Sequence, residues 1–289
     1  MDFYLSAILQ GLCLSAMAFG MFISMKIFNI PDISTDGTYT LGGVISGFFI
    51  SQSYNGFAIL GLVILGGGLA GAVTGFIHTK LKVNALLAGI LVMTALYSIN
   101  LTILGQSNLP LINYQTLFTA YNIFQNPILN TFFIVGFLVL ILLITISYLL
   151  KSDFGLAMRA TGSSQTMIRA LGVNTDAMKI IGLAIANALT AFSGYFMTQL
   201  QGFADINMGI GIVIVGLGSV IIGETLITYF KITNIANILF TVVGGAIVFQ
   251  LVLAFALSLG VNPNLLKLIT AAFVLLIVGL PRFLSKKSE

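Results

Sequence analysis

The chain has 289 residues, of which 58% are hydrophobic and 7% charged, with a formal net charge of +4 and a mean hydropathy of +1.09. Soluble domains carry about 25% charged residues, so a water-soluble fold is excluded, and apolar runs of bilayer length recurring from end to end indicate an all-α polytopic membrane protein. One cysteine, Cys13, excludes an internal disulfide, and the positive charge reads as a topology signal rather than a nucleic-acid footprint.

In chain order, membrane runs are expected at 4–26, 38–53, 56–77, 85–104, 130–150, 177–198, 208–223, 235–258 and 265–281. With Gly- and Pro-broken segments between them, these give about 8–10 transmembrane helices in a single domain, 1–289. The start, MDFYLSAILQ, lacks a basic n-region, so the first run is expected to be retained rather than cleaved.

After the first run comes NIPDISTDGTYTLGG, residues 29–43, a cluster of polar groups and helix breakers between two apolar stretches. Pro31 ends the first helix, since its ring and missing N–H break the ladder. Thr35 or Asp36 can cap a new start. Three readings stay open: an inner-surface loop with an N-cap, a broken segment lining a translocation path, or a catalytic Asp32/Asp36 pair. The last has little to support it, because the Gly-x-Gly-Asp signature of intramembrane proteolysis is absent. Residues 204–218, ADINMGIGIVIVGLG, echo the pattern: each segment starts with Asp-Ile and turns glycine-rich, as inverted-repeat transporters do.

In the third run Gly67, Gly71 and Gly75 form consecutive GxxxG steps, read as tight internal helix packing or as a subunit-contact face. Lys80, Lys82, Lys151, Arg159, Arg169, Lys231, Arg282, Lys286 and Lys287 fall on one side in an alternating count, which is then cytoplasmic. A cytoplasmic C-terminus after nine runs places Met1 outside. The opposite connectors, 105–129 and 199–207, contain no Lys or Arg; Lys267, near the outer end of the last run, is the exception.

The longest charged connector is KSDFGLAMRATGSSQTMIRALGVNTD, residues 151–176. Ser163 or Ser164 can cap a short helix, Gly172 suits the left-handed position after Leu171, and Asn174 or Thr175 can cap the next membrane helix. Met167, Ile168 and Leu171 fall on one face. The result is a short amphipathic helix against the inner surface, either an ordinary loop helix or a docking knob for a soluble partner.

The stretch RATGSSQTMIRALGVNTDAMKIIGLAIANALTAFSGYF resembles the signature region of bacterial ABC-importer permeases of the branched-chain amino acid and ribose type. ADINMGIGIVIVGLGSVIIGE, PRFLSKK and NIPDISTDGTYTLGG are similar to further blocks of that family. The resemblance implies a type II ABC-importer-like fold. It also implies that Arg159, Gly162, Ser163, Ser164, Gln165, Arg169 and Gly172 lie at or beside a helix coupling to an ATPase. It raises the path reading for Asp32, Ser34, Thr35, Asp36, Gly37 and Thr38. Implied partners are two ABC ATPase subunits, an extracellular substrate-binding protein or lipoprotein, and a second permease chain, as a homodimer; the outer connector 105–129, with Tyr114, Tyr121 and Phe124, either packs at the membrane interface or receives the binding protein.

The chain itself carries no Gly-Lys pair and so no P-loop. His78 is its only histidine, which argues against a His-cluster metal site and a Ser–His dyad with Ser219. No cofactor is expected. The reading is a non-catalytic permease in the bacterial cytoplasmic membrane, moving an amino acid of the branched-chain or aromatic class. A sugar or nucleoside permease, and a stand-alone carrier or channel, remain as alternatives.

Overall fold

Without water to bond the peptide groups, a chain in lipid must satisfy them internally, and helices do so within one segment. The structure, a computed structural model, describes residues 2–121, 123–262 and 265–285. Met1, Lys286, Lys287 and the Arg282 side chain lie outside the described residues, and with them part of the basic-tail expectation.

Helix α1 (Asp2–Met21) passes into a π-helical turn (Phe22–Ile27), followed by α2 (Ser34–Ser51), α3 (Gly56–Thr79) and α4 (Ala85–Leu104). A short strand β1 (Asn108–Pro110) and one-turn α5 (Leu117–Ala120) lead to α6 (Pro127–Lys151). Then come α7 (Asp153–Ser163), α8 (Gln165–Ala170), α9 (Thr175–Gln201), strand β2 (Phe203–Asp205), α10 (Ile212–Phe230), α11 (Ile235–Ser258) and α12 (Leu266–Ser285). Among the described residues, 7 helices are long and apolar enough to cross a membrane, and α12 adds the apolar segment Leu266–Ile277. The polar start of α2 keeps it out of that set, and its flanks are packed by α3, α4 and α9.

Three helices form the core, α1, α9 and the largely buried α2. The apolar windows of α1 and α9 are 83% and 72% buried, whereas those of α3, α4 and α10 are 28% buried and face outward. Close approach explains much of the glycine. A Cβ on Gly67, Gly71 or Gly75 would press into Ala191, the Leu183 carbonyl or Ile180 of α9. The GxxxG steps therefore serve internal packing, and the subunit-contact reading of that face falls.

Three run boundaries are corrected, among them the end of the seventh run, which continues to Phe230 rather than stopping at 223. The second helix starts at Ser34 rather than 38, because the hydroxyl residues 34, 35 and 38 are satisfied inside the protein. The seventh run starts at Ile212 rather than 208, because Gly209 and Gly211 belong to the turn before α10.

Ion pairs mark one end of the bundle: Lys80–Asp176 at 3.5 Å and Lys26–Glu224 at 2.7 Å. The other end carries the β1–β2 ladder, with Asn108 opposite Asp205 and Pro110 opposite Phe203. The basic connectors and α7–α8 share the first end, which the positive-inside rule makes cytoplasmic.

Candidate translocation path and coupling surface

The first helix stops before its proline. Asn29 turns the backbone left-handed, with φ +56°, and residues 28–33 fold back into the bundle without helical structure. α2 then begins level with Asn187 of α9. Asn187 is twelve residues beyond Thr175, about 18 Å along a helix of about 40 Å at 1.5 Å per residue. The new start therefore lies near mid-depth.

The start is held by one buried network. Asp32 Oδ1 accepts from the Ser34 backbone N–H (2.8 Å) and from Ser34 Oγ (2.6 Å). Asn187 Nδ2 donates to Asp32 Oδ2 (2.7 Å) and to the Leu183 carbonyl (3.0 Å). Thr38 Oγ1 donates to Asn187 Oδ1 at 2.8 Å. Ser34 Oγ also lies 3.3 Å from Asn187 Oδ1, but its one proton goes to the shorter carboxylate contact. Among the described residues no cation pairs with Asp32. Its carboxyl oxygens are met by hydrogen bonds alone, as buried polar groups require.

A second break meets the first from the opposite side. α9 ends at Gly202 (φ +74°), the chain passes through β2, and Gly211 (φ +83°) opens α10. The Gly211 and Val213 N–H groups donate to the two carboxylate oxygens of Asp36, at 3.0 and 2.9 Å. Asp36 thus caps α10 from the first turn of α2, where an anion also complements the helix dipole. The Asp-Ile echo has a structural counterpart. Asp32 accepts from the N–H two residues on, and so does Asp205, whose Oδ1 lies 2.6 Å from the Asn207 nitrogen. Helices restarting at mid-depth from opposite faces are the construction of inverted-repeat transporters.

The junction gathers all six expected path residues. Asp32, Ser34, Thr35, Gly37 and Thr38 are buried, and Asp36 is partly exposed. The cap on α2 is corrected from Thr35 or Asp36 to Asp32. Thr35 Oγ1 instead donates to the Asp32 carbonyl (3.1 Å), and Asp36 turns to α10. Asn187 was missed. Its only signal is an amide in the apolar run of α9, and such residues in lipid mark interhelical bonds.

On the cytoplasmic end, Ser164 caps α8, accepting from the Met167 N–H at 3.4 Å, and Gly172 is left-handed at φ +83°. Asn174 caps α9 through the Ala177 N–H at 3.1 Å. The apolar face is corrected: Ile168 alone is buried, while Met167 and Leu171 are 64% and 69% exposed. A six-residue helix presses one side chain into the crevice, and Leu171 already lies past its end. Arg169 braces α8 to α9, with Nε to Thr175 Oγ1 at 2.6 Å and a guanidinium nitrogen 3.1 Å from Asp176 Oδ1. Arg159, Ser163 and Gln165 are exposed. The helix α7 was not anticipated. Its Gly162 sits so close to the π-helical turn that a Cβ would overlap the Ile27 carbonyl, and Asn29 Nδ2 donates to the Gly162 carbonyl at 3.4 Å.

Residues 3–279 match the family model described as "Branched-chain amino acid transport system / permease component". This chain belongs to that family. The permease is 40% identical over 271 residues to a tyrosine transport system permease protein of Clostridioides difficile (strain R20291), covering 94% of this chain and 88% of the relative. It is 34% identical to an uncharacterized protein of Rickettsia prowazekii (strain Madrid E) over 274 residues, 93% of this chain and 94% of the other. A ribose import permease protein of Haemophilus influenzae (strain ATCC 51907 / DSM 11121 / KW20 / Rd) is 26% identical over 215 residues, 72% of this chain and 64% of that one. The sequence resemblance to ABC-importer permeases is thereby borne out, and with it a polytopic, all-α, multi-pass protein of the bacterial cytoplasmic membrane. Among the described residues of the permease, no group of three His, Cys, Asp or Glu residues could hold a metal ion.

Proposed function

We propose that this permease forms the pathway for an amino acid of the aromatic or branched-chain class, and that ATP hydrolysis by a separate subunit drives it. The observation that carries the substrate class is the 40% identity over 94% of the chain to a tyrosine transport system permease. Two ATPase copies dock at Arg159, Gly162, Ser163, Ser164, Gln165, Arg169 and Gly172, one on each chain of a homodimer. The exposed Met167 and Leu171 at the tip of that surface support a protein contact, since large apolar side chains there have no partner within the described chain.

Force applied to α8 has two rigid routes into the bundle. Arg169 ties α8 to the first turn of α9, and α7 bears through Gly162 on the π-helical turn. That turn carries Lys26, whose ion pair with Glu224 joins α1 to the inner part of α10. Rocking of the two halves about the Asp32–Asp36 junction then alternates access. Asp32, Ser34, Thr35, Asp36, Gly37 and Thr38 form the pivot in the pathway wall. A substrate-binding protein or lipoprotein delivers solute to the outer connector 105–129.

Co-expression with an ABC ATPase subunit from the same organism tests the reading. The two subunits co-purify, and cells expressing the importer with its binding protein accumulate radiolabelled tyrosine or leucine in an ATP-dependent manner. Accumulation of ribose instead would move the permease to the sugar branch of its family.

A further inference from the structure

Above the start of α10 lies a cleft of about 530 Å³, within the range of small-molecule sites. Its walls come from the outer parts of α1, α9, β2, α11 and α12. Four of its polar groups have no hydrogen bond among the described residues: the Tyr39 hydroxyl and the amides of Gln10, Gln201 and Gln250. Tyr39 is the telling one. The residue is only 2% exposed and lines the cleft, so its hydroxyl has the cleft to bond into.

Two opposite charges line the same cleft, Asp205 from β2 and Lys267 from α12. Lys267 is exposed at the start of α12 and makes no ion pair among the described residues, though it is near enough to attract the Asp36 carboxylate below. Asp205 accepts from the Asn207 N–H and from Asn108 Nδ2 (3.1 Å), which leaves carboxylate lone pairs free. A cation and an anion at one cleft, with unpartnered amides and a tyrosine hydroxyl, fit a zwitterion. The remaining lining, including Leu14, Met197 and Val215, is apolar and fits a hydrophobic side chain. A neutral sugar would hydrogen-bond to both side chains but neutralise neither charge.

We propose that this cleft is a recognition chamber for an α-amino acid with an apolar or aromatic side chain, with Lys267 taking its carboxylate and Asp205 its ammonium. The permease then selects its solute itself, beyond any selection by a binding protein. The inference rests on the amino-acid reading above and narrows it to named residues.

The test uses the purified permease in lipid nanodiscs, without binding protein, and three probes: L-tyrosine, tyramine, which lacks the carboxylate, and 3-(4-hydroxyphenyl)propionate, which lacks the amine. Lys267→Gln lowers affinity for tyrosine and the propionate about tenfold or more, the scale of one charge-assisted hydrogen bond, and leaves tyramine unchanged. Lys267→Arg restores binding. Asp205→Asn weakens tyrosine and tyramine and spares the propionate. Equal affinities across the variants, or no tyrosine binding by a wild-type permease whose cells accumulate tyrosine, would overturn the chamber and leave the amino-acid reading intact. Failure of the wild-type importer to accumulate any aromatic or branched-chain amino acid would overturn both.

Discussion

The two breaks of this permease use one device in opposite surroundings. At Asp32-Ile33-Ser34 and at Asp205-Ile206-Asn207 an aspartate folds back on the N–H two residues ahead before a helix restarts. The inner one is sealed: Asp32 is 1% exposed and bolted to Asn187. The outer one borders a cleft, and its carboxylate accepts only from the Asn207 N–H and the Asn108 amide. Asp36 joins them by capping the outer break's helix from the inner break's first turn. A carboxylate in the sealed position works as architecture, and one in the open position is available to solute.

The largest effect is expected at the seal. Asn187→Leu leaves Asp32 Oδ2 without its donor and removes the acceptor of Thr38 Oγ1, a loss of about 3 kcal/mol for buried polar atoms left unsatisfied. That lowers the thermal midpoint of the purified protein by roughly 5–10 °C. Asp36→Ala follows, with about 1–2 kcal/mol for a lost charged cap, against less than about 1 kcal/mol for Asp205→Ala at the exposed break. Comparable losses from Asn187→Leu and Asp205→Ala would erase the distinction between sealed and open breaks.

Packing gives a similar contrast along one helix. Gly71→Ala forces a Cβ into the Leu183 carbonyl and costs about 1–3 kcal/mol. Gly61→Ala meets open space and should be neutral or slightly stabilising in the same melting assay. The smallest effect on stability belongs to the exposed knob. Met167→Ser with Leu171→Ser leaves the midpoint within about 1 °C, while the ATPase recovered with the permease falls severalfold. An unchanged ATPase yield would remove the apolar tip from the contact.

How much of this was legible depended on range. Local signals held: Ser164, Gly172 and Asn174 do at the ends of α8 and α9 what their side chains and φ preferences dictate. The GxxxG steps and the Asp-Ile echo also survived. What failed was long-range. Nothing near Asp32 announces a partner at Asn187, 155 positions away, and nothing near Gly211 announces a cap from Asp36. The helix α7 escaped because its packing rests on Gly155 and Gly162, residues that read locally as breakers but here allow contact with Leu150 and Ile27. Lys267 stood out as an exception to the charge count, and only the fold gave it a cleft to face.

The central claim is that this bundle moves solute only when pushed from α7–α8. Proteoliposomes holding the permease alone, with imposed proton and sodium gradients, should show no accumulation of labelled tyrosine or leucine above equilibrium. Adding the cognate ATPase, the binding protein and ATP should produce it. Concentrative uptake by the permease alone would contradict the account.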